Sequence, residues 1–163
     1  MTLTHERLLE VLEYDPVTGL FRWKVRTSNR IKVGDVAGAL YENYTRINID
    51  GHRYLAHRLA VFYVTGHWPS EYVDHKRGDK ANNRWDNLRE ATNSQNQANS
   101  KLASNNTSGF KGVSWEAKRK VWQAHIKIDR RTKFLGYFKT AEEASAAYEA
   151  AAIANFGEFA RAA

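Results

Sequence analysis

Apolar residues recur along this chain in short runs whose period changes every ten residues or so. Leu8, Leu9 and Leu12 fall on one helical face behind Thr4, whose hydroxyl suits an N-cap, so a short helix is predicted first. Asp15-Pro16-Val17-Thr18-Gly19 is turn chemistry, because proline presets φ and glycine accepts a positive one. Alternation then predicts strands over residues 20–25, 33–38 and 44–49. Asp50-Gly51 predicts a hairpin returning through Tyr54 and Leu55. Leu55, Leu59, Phe62 and Tyr63 are spaced for a helix over about 55–64, stopped by Gly66.

The pattern changes at residue 72. A short strand (72–75) is followed by a polar loop (76–86), a second short strand (88–91) and a helix from Asn93 to about Ser100, capped by Thr92. That helix carries almost no apolar residue, so core packing explains it poorly. Residues 98–108 are small, polar and turn-prone, which reads as a linker. Strands are predicted over 110–115, 121–128 and 134–138. Thr140 with Glu143 is a capping box that opens a helix with Ala144, Ala147, Tyr148 and Ala151 on one face, ending near Phe156 before Gly157. The fold class is α+β throughout.

Composition narrows the function. Of the 163 residues 42% are hydrophobic and 26% charged, ordinary globular usage that argues against disorder. No apolar run is long enough to cross a membrane. Glu6, Arg7, Glu10, Glu13 and Asp15 are incompatible with a secretory signal, so a cytoplasmic protein is expected, in the host cytoplasm if a phage encodes it. Cysteine is absent, which excludes disulfides, thiolate catalysis and Cys-ligated metal centres. The formal net charge is +7, which favours an anionic partner. Residues 1–107 carry +3 of it and residues 108–163 carry +4, so the last third is the more basic per residue.

Asp74 and His75 at a strand end, an Asn-rich loop and an Asn-rich helix are what a one-metal nuclease needs. Phosphodiester hydrolysis requires an attacking water, a base to deprotonate it and neutralisation of the charge that develops. Neutral imidazole is a suitable base near pH 7, and a hard cation suits carboxylate and amide oxygens. Neighbours on a regular strand point to opposite faces, so Asp74 and His75 can serve one site only if the strand ends or twists there.

Val73-Asp74-His75-Lys76, Gly78-Asp79-Lys80, Asn82-Asn83, Asn87-Leu88-Arg89, Ala91-Thr92 and Gln95-Asn96-Gln97-Ala98-Asn99 resemble the HNH endonuclease motif of phage homing enzymes. Tyr54 to Ala60 and Gly66-His67-Trp68-Pro69 resemble the same subfamily. The resemblance implies a ββα-metal fold with His75 as general base, Asp74 and Asn96 as metal ligands, and Asn87 pinning the loop that holds His75. Asn96 stands where the family's name has a histidine. An amide oxygen there points to magnesium or manganese rather than zinc. Asp74 would raise the His75 pKa and a bound metal would oppose it. Arg77 and Arg84 in the loop are candidate phosphate contacts, and His57 reads as a packed residue at a helix start.

In residues 121–128, Trp122, Ala124, Ile126 and Ile128 share one face, and Gln123, His125 and Lys127 the other. The apolar face suits the alanine stripe, which leaves a polar, basic face outward. Gly109-Phe110-Lys111-Gly112-Val113, Leu135-Gly136-Tyr137-Phe138 and Thr140 to Ala144 resemble the apetala-two/ethylene-response-factor DNA-binding domain. That resemblance implies a three-stranded antiparallel sheet packed on one helix, with Lys111, Trp115, His125 and Lys127 at or near DNA. Lys118, Arg119, Arg130 and Lys133 border the same face.

The expected organisation is a β-rich extension (1–53), a nuclease module (54–100), a linker (101–107) and a DNA-binding domain (108–163). The expected activity is a magnesium- or manganese-dependent endonuclease on double-stranded DNA, nicking or cutting both strands, acting as a monomer or weak dimer. The alternatives are a DNA-binding protein with an inactive nuclease site, or a non-specific nuclease of the same type. Residues 1–53 are assigned no chemistry.

Overall fold

Thr4 caps α1 (His5–Val11), its hydroxyl accepting from the Arg7 N–H. Leu12 does not extend that helix but opens β1 (Leu12–Asp15), and the Asp15–Gly19 turn returns the chain along β2 (Leu20–Trp23). The computed structural model describes residues 3–161, in two compact units that divide between Glu90 and Ala91.

In the first unit, residues 33–38 do not form the predicted strand. They make a single bridge, Arg22 with Val36, because Gly34 and Gly38 sit at φ of 91° and 95° and break the pleat on either side. Pairing resumes at β3 (Ala39–Tyr41), which lies beside β4 (Tyr44–Ile49) and β5 (His52–Leu55) in an antiparallel sheet. Asp50-Gly51 makes the β4–β5 turn with both φ positive, as expected of a two-residue hairpin. Helix α2 (Ala56–Thr65) follows, and left-handed Gly66 closes it. Strands β6 (Tyr72–His75) and β7 (Leu88–Ala91) form a separate two-stranded sheet.

One hydrophobic core joins these pieces. Leu8, Val11, Leu12, Phe21, Ile47, Ile49 and Leu59 are buried together with Val73 and Leu88 of the two-stranded sheet. Each such side chain contributes roughly 1.5–3 kcal/mol on burial. Residues 1–53 thus supply most of the surface on which residues 54–90 pack.

The second unit holds α3 (Asn93–Ala98), β8 (Val113–Glu116), β9 (Val121–Ile128), β10 (Arg131–Phe138) and α4 (Ala141–Phe156). The sheet order is β10-β9-β8, antiparallel throughout. Strand β10 begins three residues earlier than predicted. Asp129 and Arg130 make a tight turn with φ of 47° and 66°, and without a glycine that turn left no mark in the sequence. Ala124 and Ile126 are buried, with Ala141, Ala144, Ala152 and Phe156 of α4 among the buried residues of the same two clusters. Gly112 allows the close approach, since a Cβ there would overlap the His125 carbonyl oxygen and the Tyr148 ring. Ala98 of α3 belongs to the same cluster as Phe156 and Phe159. No helix among the described residues is long and apolar enough to cross a membrane.

Candidate active site

Strand β6 does not keep strand alternation: Val73, Asp74 and His75 are all buried. The strand stops at His75, where the Gly78 N–H donates to the His75 carbonyl at 2.7 Å in a tight turn. Ending there removes the geometric objection to using adjacent residues, since each can find its own partners.

Asp74 is paired with Arg89 of β7. Nε and Nη2 of the guanidinium both approach Oδ2 at 2.9 Å. The side chains are only 5% and 10% exposed, so the ion pair is shielded from water.

His75 lies in a polar and aromatic setting. Its Nε2 is 3.3 Å from Asn83 Oδ1. The Asn83 amide is oriented by its other end, where Nδ2 donates to the Ala81 carbonyl at 3.2 Å. An oxygen facing Nε2 requires that nitrogen to carry the proton, which leaves the lone pair of the neutral ring on Nδ1. Burial, the largest influence, pulls the His75 pKa below its ordinary value. The Asn83 bond, Asp74 and Asp79 oppose the shift without reversing it, contrary to the rise expected from Asp74 alone. The neutral ring therefore predominates at pH 7.

Asn87 is fully buried and spans the loop. Its Oδ1 accepts from the Arg77 N–H at 3.0 Å, and its Nδ2 donates to the Asn82 carbonyl at 2.7 Å. The Lys76 N–H donates to the Asn87 carbonyl at 2.8 Å. One residue thus ties both ends of the 76–86 loop to the short helical turn Trp85–Asn87. The N-terminal hairpin buttresses the loop from outside. Tyr14 Oη donates to the Asn83 carbonyl at 2.7 Å, and the Trp85 N–H donates to the Pro16 carbonyl at 3.0 Å. Gly19, at φ 75°, lies so close that a Cβ would overlap the Arg84 nitrogen and the Asn83 carbonyl group. Gly19→Ala is therefore expected to destabilise the first unit by ~1–3 kcal/mol from backbone strain alone, read by denaturant unfolding, with a further cost from the overlap.

His57, the second residue of α2, is 5% exposed, and its Nδ1 is buried without a hydrogen-bond partner. Desolvation, helped by His75 and Arg58, pushes its pKa down to about 3. The folded protein then binds its proton less well than the unfolded chain, whose histidines titrate near 6.5. Stability from this group is complete above pH 6.5 and is lost as pH falls toward 3. Between pH 7 and pH 4.5 the expected loss is about 2–3 kcal/mol at ~1.4 kcal/mol per unit, and His57→Phe should flatten that part of the pH–stability curve.

The remaining predicted residues are distributed as follows. Arg77 is exposed and paired with Asp86 at 3.1 Å, and Arg84 is exposed. Asn96 is partly buried on α3 in the second unit, its N–H donating to the Thr92 carbonyl. Trp115, Lys118, Arg119, Lys127, Arg130 and Lys133 are exposed and His125 is partly so. Lys111 differs from these: its Nζ donates to the carbonyls of Ala98 and Arg161 at 2.9 and 3.2 Å, and burial lowers its pKa. Sequence reasoning passed over Asn83, Arg89, Tyr14 and Tyr44, although Asn83 and Arg89 stand inside the quoted motif.

Among the described residues no three His, Cys, Asp or Glu side chains gather as a metal-binding group. A magnesium-sized cation does not require such a cluster, because it keeps several waters and takes one or two protein oxygens plus substrate phosphate. Asp74, a carboxylate on a rigid sheet, fits that donor chemistry.

Residues 54–98 match the family model described as HNH endonuclease. The chain is also 42% identical over 55 residues to Protein 3.8 of Escherichia phage T7; the match covers 34% of this chain and 46% of that protein. The chain thus spans about half the length of the relative it matches. No solved structure matches the chain.

Proposed function

We propose that the protein is a metal-dependent DNA endonuclease that hydrolyses phosphodiester bonds in double-stranded DNA, with His75 as general base. The observation that carries the proposal is the orientation of His75: a buried imidazole at a strand end, its Nε2 on Asn83, inside the segment that matches the nuclease family. In this reading Nδ1 takes a proton from water, the resulting hydroxide attacks phosphorus, and the bond from phosphorus to the leaving deoxyribose oxygen breaks. Asn87 and Asn83 act by holding the loop and the ring. Asp74, with Asn96, would hold magnesium or manganese, which when bound neutralises charge on the phosphate.

Residues 108–163 are proposed to bind DNA through the exposed face of the β8–β10 sheet. Within the sheet His125 and Lys127 point to that face, with Arg119 stacked on the Tyr137 ring at 4.7 Å and Lys118 and Arg130 in the adjoining turns, whereas the register sets Trp115 opposite Trp122 and Lys133 opposite buried Ile126, so these two belong to its border. Among the described residues none of the five cations is in a salt bridge, so each is available to a phosphate. Lys111 contributes least to this face, its ammonium being committed to two carbonyls. Arg77 and Arg84 are proposed as further phosphate contacts in the nuclease loop of the first unit. Replacing Lys118, Lys127 and Arg130 by Gln is expected to weaken DNA binding and to lower the salt slope of log Kd by roughly one per lost contact, read by fluorescence anisotropy across a salt series. An unchanged slope would remove this face from the DNA interface.

The alternative, a DNA-binding protein with an inert nuclease site, is favoured by one observation: the Asp74 carboxylate already faces a guanidinium. Plasmid cleavage with magnesium, wild type beside His75→Ala, separates the two. Cleavage by wild type alone supports the enzyme, and no cleavage by either supports the inert site. The protein is proposed to act in the cytoplasm, as a monomer or weak dimer.

A further inference from the structure

The outer face of the β8–β10 sheet carries aromatic rings among its polar side chains. Phe134 and Tyr137 of β10 are 47% and 45% exposed, so about half of each is open to water. Their ring centroids lie 4.8 Å apart at an interplanar angle of 61°. His125 of β9 lies 5.2 Å from Phe134, and the Arg119 guanidinium sits 4.7 Å over the Tyr137 ring. His125, Phe134, Tyr137 and Arg119 thus form one row of flat groups, drawn from two strands and the turn between β8 and β9.

A bulge puts the two β10 rings side by side. Residues three apart on a regular strand point to opposite faces. Here Phe134 pairs with His125 and Tyr137 with Gln123, while the register slips between Phe134 and Gly136, leaving Leu135 as the extra residue. Gly136 takes a φ of 148°, which glycine reaches at little cost. Leu135 and Phe138 pack inward with Trp122 on the cluster that holds Ala124. Without the bulge one of the two rings would turn to the core side. Pairing with His125 explains part of the row, because aromatic cross-strand pairs stabilise a sheet. It does not explain two adjacent rings half in water; contiguous apolar surface rimmed by charge marks an interaction site.

The charge around the row is positive. Lys127 shares its face, and Lys118 and Arg130 stand in the adjoining turns. Glu116, which the register also sets on this face, is turned to the Lys118 N–H at 3.2 Å. The occupant that fits is a polyanion with flat, accessible rings. In duplex DNA each base is covered by its neighbours and offers only its edge to a groove, whereas an unpaired strand offers its base faces as well as its phosphates. We propose that the outer face of the β8–β10 sheet binds unpaired DNA, with bases stacked on Phe134 and Tyr137 and phosphates held by Lys118, Lys127 and Arg130. The proposal rests on the reading that this face meets DNA, and adds which form of DNA it takes. The preferred DNA then contains unpaired nucleotides, as at a gap or a fork.

Fluorescence anisotropy on the full chain, with a chelator present to prevent cleavage, tests this. The probes are an oligothymidylate of about fifteen nucleotides, near the site size of single-strand binding domains, and a duplex of the same length. Phe134→Ala should weaken binding of the single strand ~5- to 100-fold, the usual loss when one stacking ring is removed, and change the duplex Kd by no more than about threefold. Tyr137→Ala should act in the same direction. Phe134→Tyr keeps a ring and should stay within about threefold of wild type on both probes. Lys127→Gln should weaken both, because phosphates are common to the two. Each variant is checked for folding by thermal melting. If Phe134→Ala does not fold, Phe134→Leu replaces it, keeping the apolar contact with His125 and removing the flat ring. No binding of the oligothymidylate by wild type, no loss in a folded Phe134 variant, or an equal loss on both probes overturns the proposal and leaves the face free to bind duplex. Tighter binding of oligouridylate than of oligothymidylate overturns the assignment to DNA. If Lys127→Gln and Arg130→Gln change neither affinity, the reading of this face as a DNA surface falls, and the proposal with it.

Discussion

His75→Ala should lose ~10²–10⁴-fold in the rate of DNA cleavage, the usual contribution of a general base, while DNA affinity stays within a few-fold of wild type. The substitution removes a side chain that bonds to Asn83 and whose ring packs on His57 and Tyr44. Some stability is lost with that packing, so the measurement is made below the melting range of the variant. The pH dependence of the wild-type rate carries separate information. Burial holds the His75 pKa below its ordinary value, so the deprotonated ring required for water activation is already dominant at neutrality. The rate of a single turnover should therefore climb on the acid side, below about pH 6.5, and be flat from neutrality upward. A climb that continues through pH 8 would assign the titration to another group, and a His75→Ala variant as fast as wild type would place the chemistry elsewhere.

Much of this arrangement was legible beforehand, for identifiable reasons. Strands β4, β6, β7 and β9 and helices α2 and α4 announce themselves by apolar period or by caps such as Thr140 with Glu143. The errors fall where glycines or left-handed non-glycine residues decide the path. Gly34 and Gly38 interrupt an otherwise plausible strand, and Asp129-Arg130 turns the chain with no glycine to advertise it. Asp74 and His75 were visible because a carboxylate and an imidazole at a strand end suggest one chemistry, and Asn87 because the family resemblance places it in the loop. Tyr14, Tyr44 and Arg89 were invisible as partners because their contacts cross 69, 31 and 15 residues, and no local pattern encodes such distances. Residues 1–53, which offered no chemistry to read, turn out to brace the loop through Tyr14, Pro16 and Gly19 and to pack on His75 through Tyr44.

Asp74 is expected to show the largest combined effect, and the choice of substitution decides what is learned. Asp74→Ala would remove the carboxylate that faces the Arg89 guanidinium, and breaking such a buried pair typically costs ~3–5 kcal/mol. Loss of cleavage in that variant could then reflect loss of the fold. Asp74→Asn keeps the shape and one acceptor for the guanidinium, so it should melt closer to wild type. It should still lose cleavage below detection, because the proposed metal site would keep no charged ligand on β6. The double variant Asp74→Leu/Arg89→Met removes both charges together. It should recover most of the stability lost in Asp74→Ala, since an apolar pair of similar volume often replaces a buried ion pair without penalty. It should remain inactive at every magnesium or manganese concentration tried. Recovery of stability without recovery of cleavage separates the structural role of the pair from the catalytic role of the carboxylate. Cleavage by the double variant, or wild-type cleavage that persists in a chelator, would show that Asp74 holds no metal and that the carboxylate serves Arg89 alone.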